Sequence, residues 1–422
     1  MAVDAAPGSA ARPGACPGFT KFWAASSASD LGTYFTTVAV QVLVVVTLGR
    51  GAFGVGLVTA ARWLPYLIFG LVAGIVVDRT AHRPLLVLTD LARGGLLVAV
   101  PVLALAHRLS LPTLTVFMAV FGLLSLFNDA AAQSFLPRLV PPELLTRANA
   151  RLDQGGAAAQ TTGPALAGGL VSLVGAPWAV LVDVLSYLVS GLLIARIPIT
   201  EPPRRPITVS HVWREAAAGA RWIYRHRTLR PLALSTHAWF LCWAIAGAIL
   251  APYVLRTLGI GAFGLGLFLS VAGVGGLLGA SSATRLGARF GAGRVVIVAR
   301  AGTGLSWALV ALSGRGWVGW LLLAAGQLLL GLSMGAESAN EMGYWQAVTP
   351  DDLQGRTSAT RRSVNRAMLV IGAPLGGALA DLVGYRPMLW AAAVGFLLVA
   401  ASLSCSPFRH ARVDPAPTAD GG

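Results

Sequence analysis

Twelve long apolar stretches fill most of this 422-residue chain, and they constrain its fold more than any other feature. A helix needs about 20 mostly apolar residues to cross a bilayer. Stretches of this kind lie at residues 22–48, 54–77, 85–106, 113–135, 148–174, 178–197, 231–251, 263–284, 295–313, 317–343, 357–381 and 388–405. The fifth and eleventh begin with polar residues. The pattern predicts an all-α integral membrane protein with twelve transmembrane helices.

The composition excludes a large soluble domain. Hydrophobic residues make up 55% of the chain and charged residues 12%, with a mean hydropathy of +0.70, whereas soluble proteins average about 25% charged residues. The net charge of +15 is typical of nucleic-acid-binding proteins. Here, however, the arginines stand between apolar stretches, so we expect a lipid bilayer and no nucleic acid as the partner.

The distribution of basic residues predicts the orientation in the membrane. With both termini placed in the cytoplasm, 25 of the 32 lysine and arginine residues fall on the cytoplasmic side, counting the adjoining helix ends. Five fall on the opposite side. This asymmetry follows the positive-inside rule. It predicts a multi-pass protein of the cell (plasma) membrane with cytoplasmic termini.

A polar segment divides the chain into two halves. We predict a disordered cytoplasmic tail (1–18), an N-terminal six-helix bundle (19–197), a cytoplasmic linker (198–230), a C-terminal six-helix bundle (231–405) and a second tail (406–422). Apolar residues at helical spacing in the linker alternate with arginines. This pattern indicates either an amphipathic helix on the membrane surface or a solvated linker helix.

The two halves are copies of each other. Gly51-Ala-Phe-Gly-Val-Gly-Leu recurs 210 residues later as Gly261-Ala-Phe-Gly-Leu-Gly-Leu, and nine residues between Pro141 and Gly175 recur at an offset of 209. Six helices is an even number, so the copies have the same orientation and are parallel repeats. Two similar halves that rock about a central site give alternating access. The repeat therefore predicts a transporter rather than a channel or an enzyme.

The loop after the second predicted helix resembles the loop signature of the major facilitator superfamily. It reads Gly74-Ile-Val-Val-Asp78-Arg79-Thr-Ala-His82-Arg83, with Ala81 and His82 where the family usually has glycine and arginine. Further strings, such as Ser29-Asp-Leu-Gly-Thr and Asp90-Leu-Ala-Arg, are similar to the enterobactin-exporter-like efflux group. The resemblance covers Phe19 to Cys405.

This resemblance implies the major facilitator fold and export driven by the proton gradient. It also implies that the loop docks between the two halves on the cytoplasmic side, where Asp78 approaches the N-terminus of the eleventh helix. The residues of this conformational latch are Gly74, Asp78, Arg79, Arg83 and Arg356.

The first predicted helix carries one polar stripe. Asp30, Tyr34, Thr37 and Gln41 are spaced 4, 3 and 4 residues apart and lie on one helix face. An ionisable side chain inside a membrane helix is costly and usually faces protein or water. Asp30 is therefore a proton-coupling candidate in a substrate cavity. The alternative is a structural carboxylate bonded to a neighbouring helix.

The tenth predicted helix carries a second polar stripe, which consists of Gln327, Met334, Glu337 and Glu341. Gln327 and Met334 are candidate residues of the substrate cavity. Two carboxylates one turn apart repel each other unless a cation is near. Arg361, Arg362 and Arg366 on the next helix are candidates for that cation. The two glutamates are either proton-coupling groups or members of a structural ion-pair network.

Other polar residues in apolar stretches complete the set of candidates. Asn128, His237 and Trp243 are candidate cavity residues, with packing as the alternative for His237. Asp90 and Arg93 stand three residues apart on one helix, so we expect a structural ion pair.

The leading functional hypothesis is proton-coupled efflux of an amphipathic small molecule such as a drug or a siderophore. The alternatives are uptake of a small nutrient, and a membrane sensor or scaffold that transports nothing. The sequence contains no phosphate-binding loop of the Gly-x4-Gly-Lys-Ser/Thr type and no paired histidine/cysteine set with metal-ligand spacing. We therefore expect no ATPase activity, no enzyme function, no cofactor and no metal, and a protein that works as a monomer.

Overall fold

The computed structural model describes residues 13–16, 18–199 and 210–412, and this part of the chain is all-α. Lipid offers no hydrogen bonds to the backbone, so a spanning segment must satisfy its own amides, as a helix does. The long helices are α1 (Phe19–Val42), α2 (Ala52–Asp78), α3 (His82–Leu105), α4 (Leu111–Leu139), α5 (Leu145–Val174), α6 (Ala176–Ala179) with α7 (Leu181–Ala195), α8 (Ser210–Arg225), α9 (Leu229–Pro252), α10 (Gly261–Phe290), α11 (Ala292–Leu312), α12 (Trp317–Val348), α13 (Asp351–Val383) and α14 (Tyr385–Ser404). Short π-helical segments, Leu43–Thr47 and Tyr253–Thr257, extend α1 and α9.

Eleven helices of the described chain are long and apolar enough to cross a membrane, which confirms the all-α membrane fold. The fifth predicted helix, α5, is not among them. Its first half carries Arg147, Arg151 and Asp153, which lower its hydropathy. α5 nevertheless packs between α1 and α10 like the other helices, so the architecture fits the predicted count of twelve.

The helices form two bundles. α1 to α7 pack on one another in the N-terminal bundle, and α9 to α14 pack on one another in the C-terminal bundle. The bundles meet along two helix pairs, α2 with α13 and α5 with α10. We call the end of the molecule that carries the α2–α3 turn and the end of α14 the basic end, and the opposite end the distal end. Residues 1–12, 17, 200–209 and 413–422 lie outside the described residues.

The linker helix α8 packs against the C-terminal bundle. Gly219 lies against the backbone of Arg356 at the start of α13. Ile223 is buried in a cluster with Leu229, Tyr344 and Phe408. The apolar face of α8 thus covers protein at these positions, which neither of the two interpretations of the linker anticipated.

Repeated glycines allow the bundles to touch. A Cβ atom at Gly56 of α2 would lie 2.6 Å from the carbonyl carbon of Ala373 on α13. Its repeat counterpart, Gly266 of α10, meets α5, where a Cβ would lie 2.9 Å from the carbonyl carbon of Pro164. The glycine that both copies share therefore permits direct backbone contact at both inter-bundle seams.

At the distal end, polar contacts also join the bundles. The carboxylate of Asp381, near the end of α13, accepts hydrogen bonds from the backbone amides of Ala52 and Phe53, both at 2.9 Å. These amides begin α2 and have no partner within the helix, so Asp381 caps it from the other bundle. Arg256 donates to the carbonyl oxygen of Val45 at 2.8 Å, again across the bundles.

Candidate functional site

A cavity of about 780 Å³ lies against the N-terminal bundle. Residues of α1, α2, α4 and α5 line it, and Leu152 and Asp153 place one part of its wall near the basic end. All four residues of the predicted stripe on α1, namely Asp30, Tyr34, Thr37 and Gln41, line this cavity. The helical spacing thus identified a continuous polar wall.

Asp30 is a carboxylate in the cavity wall without an ion pair. Its side chain lies beside α5, where a Cβ at Gly156 would be 3.6 Å from Oδ2. Among the described residues, no basic side chain lies within salt-bridge distance of it. Without a cation beside it, a carboxylate inside a membrane helix is favourable in its charged form only where water reaches it.

A cation and an aromatic group share the wall with Asp30. Arg62 of α2 donates to the hydroxyl of Thr37 at 3.4 Å, and its guanidinium lies 5.4 Å from the ring of Phe121. Trp63, also in the wall, stacks under Arg366 of the C-terminal bundle at 3.9 Å. The wall therefore offers both signs of charge together with aromatic surface, which suits an amphipathic ligand.

A second polar centre lies inside the C-terminal bundle. Arg300 of α11 is fully buried. Its Nε donates to Glu337 at 2.8 Å and its Nη2 donates to Glu341 at 3.0 Å. The same Nη2 donates to Thr236 at 2.7 Å, and Nη1 donates to Ser235. One guanidinium thus joins three helices, α9, α11 and α12.

A second guanidinium completes this centre. Arg361 of α13 lies 3.5 Å from Glu341, so two cations face the two carboxylates. The expectation that Arg366 also compensates them is wrong, since Arg366 reaches across to Trp63 and Tyr66 on α2. Charge compensation with hydrogen bonds to each partner is the condition under which buried ions are tolerated. Of the two alternatives for Glu337 and Glu341, this geometry favours a structural ion-pair network, and the role of the two glutamates stays a prediction.

Comparison with known proteins identifies the family. The family described as transmembrane secretion effector matches residues 9–419. The chain belongs to this family of major facilitator transporters. An MFS-type transporter of Sinorhizobium fredii, y4rN, is 27% identical over 332 residues, 78% of this chain and 79% of the relative. The multidrug efflux pump Tap of Mycolicibacterium fortuitum is 24% identical over 384 residues, 89% of this chain and 92% of the pump.

Solved structures share the fold. The nucleoside transporter NupG superposes with a TM-score of 0.72 at 11% identity and covers 92% of this chain and 98% of its own. A bacterial homologue of the iron transporter ferroportin, in an inward-facing state, superposes with a TM-score of 0.71 at 16% identity, over 92% of this chain and 97% of its own. The solved structures show the fold, and the family match identifies the protein as a membrane transporter rather than an enzyme.

The transporter holds Asp90 and Arg93 in a buried cluster. Arg93 donates to Asp90 and lies 4.2 Å from the ring of Tyr187. Asn128, predicted as a cavity residue, donates to Asp90 at 3.0 Å and so faces α3 instead. Its neighbour Asp129 accepts from Tyr66 at 2.6 Å. Adjacent residues of a helix point about 100° apart, so Asn128 and Asp129 contact different neighbours.

The other cavity candidates of the C-terminal half lie outside the cavity wall. His237 bonds through both ring nitrogens, to Asn365 at 2.7 Å and to Tyr224 of α8 at 3.0 Å. Trp243 stacks on Trp239 at 5.2 Å. Gln327 is buried in α12, and Met334 packs against the main apolar core. None of these four side chains lines the cavity that contains Asp30.

The predicted latch lies at the α2–α3 turn. The backbone places Asp78 at the end of α2, and its side chain is outside the described atoms. Arg83 donates to the carbonyl of Ala195 at the end of α7, within the same bundle. A Cβ at Gly74 would meet open space. The latch role of these residues, with Arg79 and Arg356, stays a prediction.

Sequence reasoning missed Arg300. Its position in α11 was counted with the basic helix ends, whereas the structure buries it. The repeat contained a signal, because the offset of 210 aligns Arg300 with Asp90, and Glu337 aligns with Asn128 at 209. Asp90 and Asn128 are themselves hydrogen-bonded. The two repeats therefore place a polar pair at the same helix contact.

Proposed function

We propose that this transporter exports an amphipathic small molecule and couples export to protons through Asp30. The observation that carries the proposal is the position of Asp30 in the cavity wall without an ion pair. The likeness to a protein named as a multidrug efflux pump supports the direction. The mixed polar and aromatic wall supports the substrate class.

Coupling follows from the physics of a charge in a membrane cavity. An ionised carboxylate is favourable when the cavity is wet and costly when it closes around the side chain. Proton binding at Asp30 would therefore accompany closure, and release would accompany opening. Glu337 and Glu341 support this role less well, because Arg300 and Arg361 lie beside them as compensating cations.

Alternating access in this proposal uses the seams between the bundles. In the present conformation the distal end is joined by Asp381 with the start of α2, and by Arg256 with Val45. Opening that end would break these contacts and separate the glycine seams. We place the basic end in the cytoplasm of the cell, as the basic residues predict.

The test compares Asp30→Asn with wild type in proteoliposomes, with ethidium as the amphipathic probe. Asp30→Asn keeps the shape of the side chain but cannot ionise. We expect at least a tenfold loss of pH-gradient-driven accumulation, since accumulation requires the proton step, while ethidium exchange without a gradient stays within about twofold of wild type. Glu143→Gln, a change at an exposed carboxylate outside the cavity, is the matched control and should retain both activities.

Three results would contradict the proposal. If Asp30→Asn still accumulates ethidium against its gradient, Asp30 is not the coupling site. If Glu337→Gln or Glu341→Gln is stably folded and loses only accumulation, the coupling site lies in the C-terminal bundle. Loss of both activities in a folded Asp30→Asn protein would indicate a structural carboxylate.

A further inference from the structure

The chain that follows α14 forms a fixed wall at the basic end. Residues Pro407–His410 make one turn of 3₁₀-helix. Phe408 in this turn is fully buried and packs edge-on against Tyr344 of α12, with ring centroids 5.2 Å apart. The carbonyl of Ala411 accepts from the amide of Gly293 at 3.0 Å. These contacts hold the segment against α11 and α12.

A second cavity, of about 660 Å³, lies between this wall, the turn that joins α8 to α9, and the end of α12. It belongs entirely to the C-terminal bundle and its linker, and it shares no residue with the cavity that contains Asp30. Its volume falls in the range of small-molecule sites, about 300–1,000 Å³.

The lining of this cavity is strongly basic. It includes Arg227, Arg409 and Arg412 together with His410, and it includes no aspartate or glutamate. Within the described chain, none of the three guanidinium groups forms a salt bridge. Arg409 donates to His410 at 2.8 Å, so this imidazole nitrogen acts as an acceptor. Three cations therefore face one concave site, and no carboxylate among the described residues compensates them.

The depth of the cavity in the membrane indicates what it meets. α14 has 20 residues, and a helix of that length spans about 30 Å, the thickness of the hydrocarbon core. The wall begins directly after α14, so it lies at the level of the lipid headgroups. Basic pockets at this level on the cytoplasmic side bind phosphate-bearing headgroups. Guanidinium groups also match phosphate oxygens in a two-pronged geometry.

We propose that this cavity binds a phosphate group, which the headgroup of an anionic phospholipid supplies. The phosphate would lie among Arg227, Arg409 and Arg412, and the acyl chains would extend along the lipid-facing side of the bundle. Bound lipid would join α8 to the segment that follows α14. The inference does not depend on the proposed export activity, because no residue of the coupling site takes part.

The test measures lipid binding to the purified full chain by native mass spectrometry in detergent. Phosphatidylglycerol is the anionic lipid, phosphatidylcholine is the zwitterionic lipid, and inorganic phosphate is the soluble competitor. We expect the triple variant Arg227→Gln, Arg409→Gln, Arg412→Gln to bind phosphatidylglycerol about 100-fold more weakly, since each arginine contributes roughly fivefold near an anionic lipid surface. The control removes the same charge outside the pocket, as Arg221→Gln, Arg285→Gln, Arg289→Gln, and should bind like wild type.

The outcomes separate the two sources of phosphate. Pocket-dependent binding of phosphatidylglycerol that excess inorganic phosphate does not displace supports a lipid site. Displacement by millimolar inorganic phosphate, again only in protein with the intact pocket, supports a phosphate site but assigns it to a soluble ligand. Equal binding of phosphatidylglycerol to wild type and to both triple variants would overturn the proposal. The thermal midpoint of each protein without added lipid shows whether the variants are folded.

Discussion

The two halves of this transporter place buried polar groups at the same repeat position but with different charge. In the N-terminal bundle the contact of α3 with α4 is Asp90 with Asn128. In the C-terminal bundle the contact of α11 with α12 is Arg300 with Glu337. Duplication preserved the location of a hydrogen-bonded pair, and divergence reversed the charge on one helix.

This difference separates the tasks of the two bundles. The C-terminal centre pairs two arginines with two glutamates, so its charges balance within the bundle and join helices. The N-terminal bundle retains an unpaired carboxylate, Asp30, that faces a cavity. An unpaired group next to water can respond to the conformational cycle, whereas a paired and buried one resists it.

The largest expected effect tests the structural role of Arg300. Arg300→Met would leave Glu337 without its cation in a buried site, and Glu341 with Arg361 alone. Removing one partner of a buried ion pair costs about 3–5 kcal/mol, so we expect the thermal unfolding midpoint in detergent to fall by about 10 °C. Arg294→Met, at an exposed position of the same helix, is the matched control.

A double variant distinguishes lost compensation from lost packing. Arg300→Met with Glu337→Gln removes the stranded carboxylate and leaves Glu341 beside Arg361. It should recover at least half of the lost stability. If Arg300→Met is as stable as wild type, the C-terminal centre does not stabilise the fold, and the proposed difference between the two bundles is wrong.

The fold could be predicted from the sequence, because few backbone structures can cross a lipid bilayer. Spanning helices follow from apolar length, and the even repeat fixes the relation of the halves. The stripe of Asp30, Tyr34, Thr37 and Gln41 was also predictable, since helical geometry alone places these residues on one face.

Tertiary partners were less predictable. The partner of Glu337 is 37 residues away, on a different helix. Arg300 looked like any other arginine near a helix end, and only its burial distinguishes it. The direction of the Asn128 side chain depends on which helix lies beside α4. The hydropathy pattern does not give this information. Sequence periodicity gives the face of a helix but not the neighbour that the face meets.

The second prediction concerns the glycine seams that the halves share. In Gly56→Val a side chain would enter the backbone of α13. Overpacking costs about 1–3 kcal/mol, so the population with an open distal end should rise roughly 5- to 100-fold. Spin labels at Arg50→Cys and Leu382→Cys, in a chain without its three native cysteines, report this opening as a longer distance.

The control for this variant lies on the same helix. A Cβ at Gly70 would meet open space. Gly70→Val therefore makes the same change in helix propensity as Gly56→Val but without the steric clash. It should leave the distance distribution unchanged. Gly266→Val should act like Gly56→Val, because it blocks the equivalent seam with α5. If Gly56→Val and Gly70→Val behave alike, the seam does not control the distal end.

The smallest expected effect tests the asymmetry between the two repeats at the distal end. Asp381 caps α2 from the opposite bundle, but its counterpart at offset 209, Ser172, donates to Gly169 of its own helix at 2.7 Å. Loss of a helix cap costs about 1 kcal/mol, so Asp381→Ala should raise the open population about fivefold, as measured with the same pair of labels. Ser172→Ala should leave it unchanged, as should Asp352→Ala at the other end of α13. If Asp381→Ala and Ser172→Ala change the open population equally, the two contacts between the bundles restrain the distal end to the same extent. The distal closure would then be as symmetric as the glycines that form it, and the cap would add nothing.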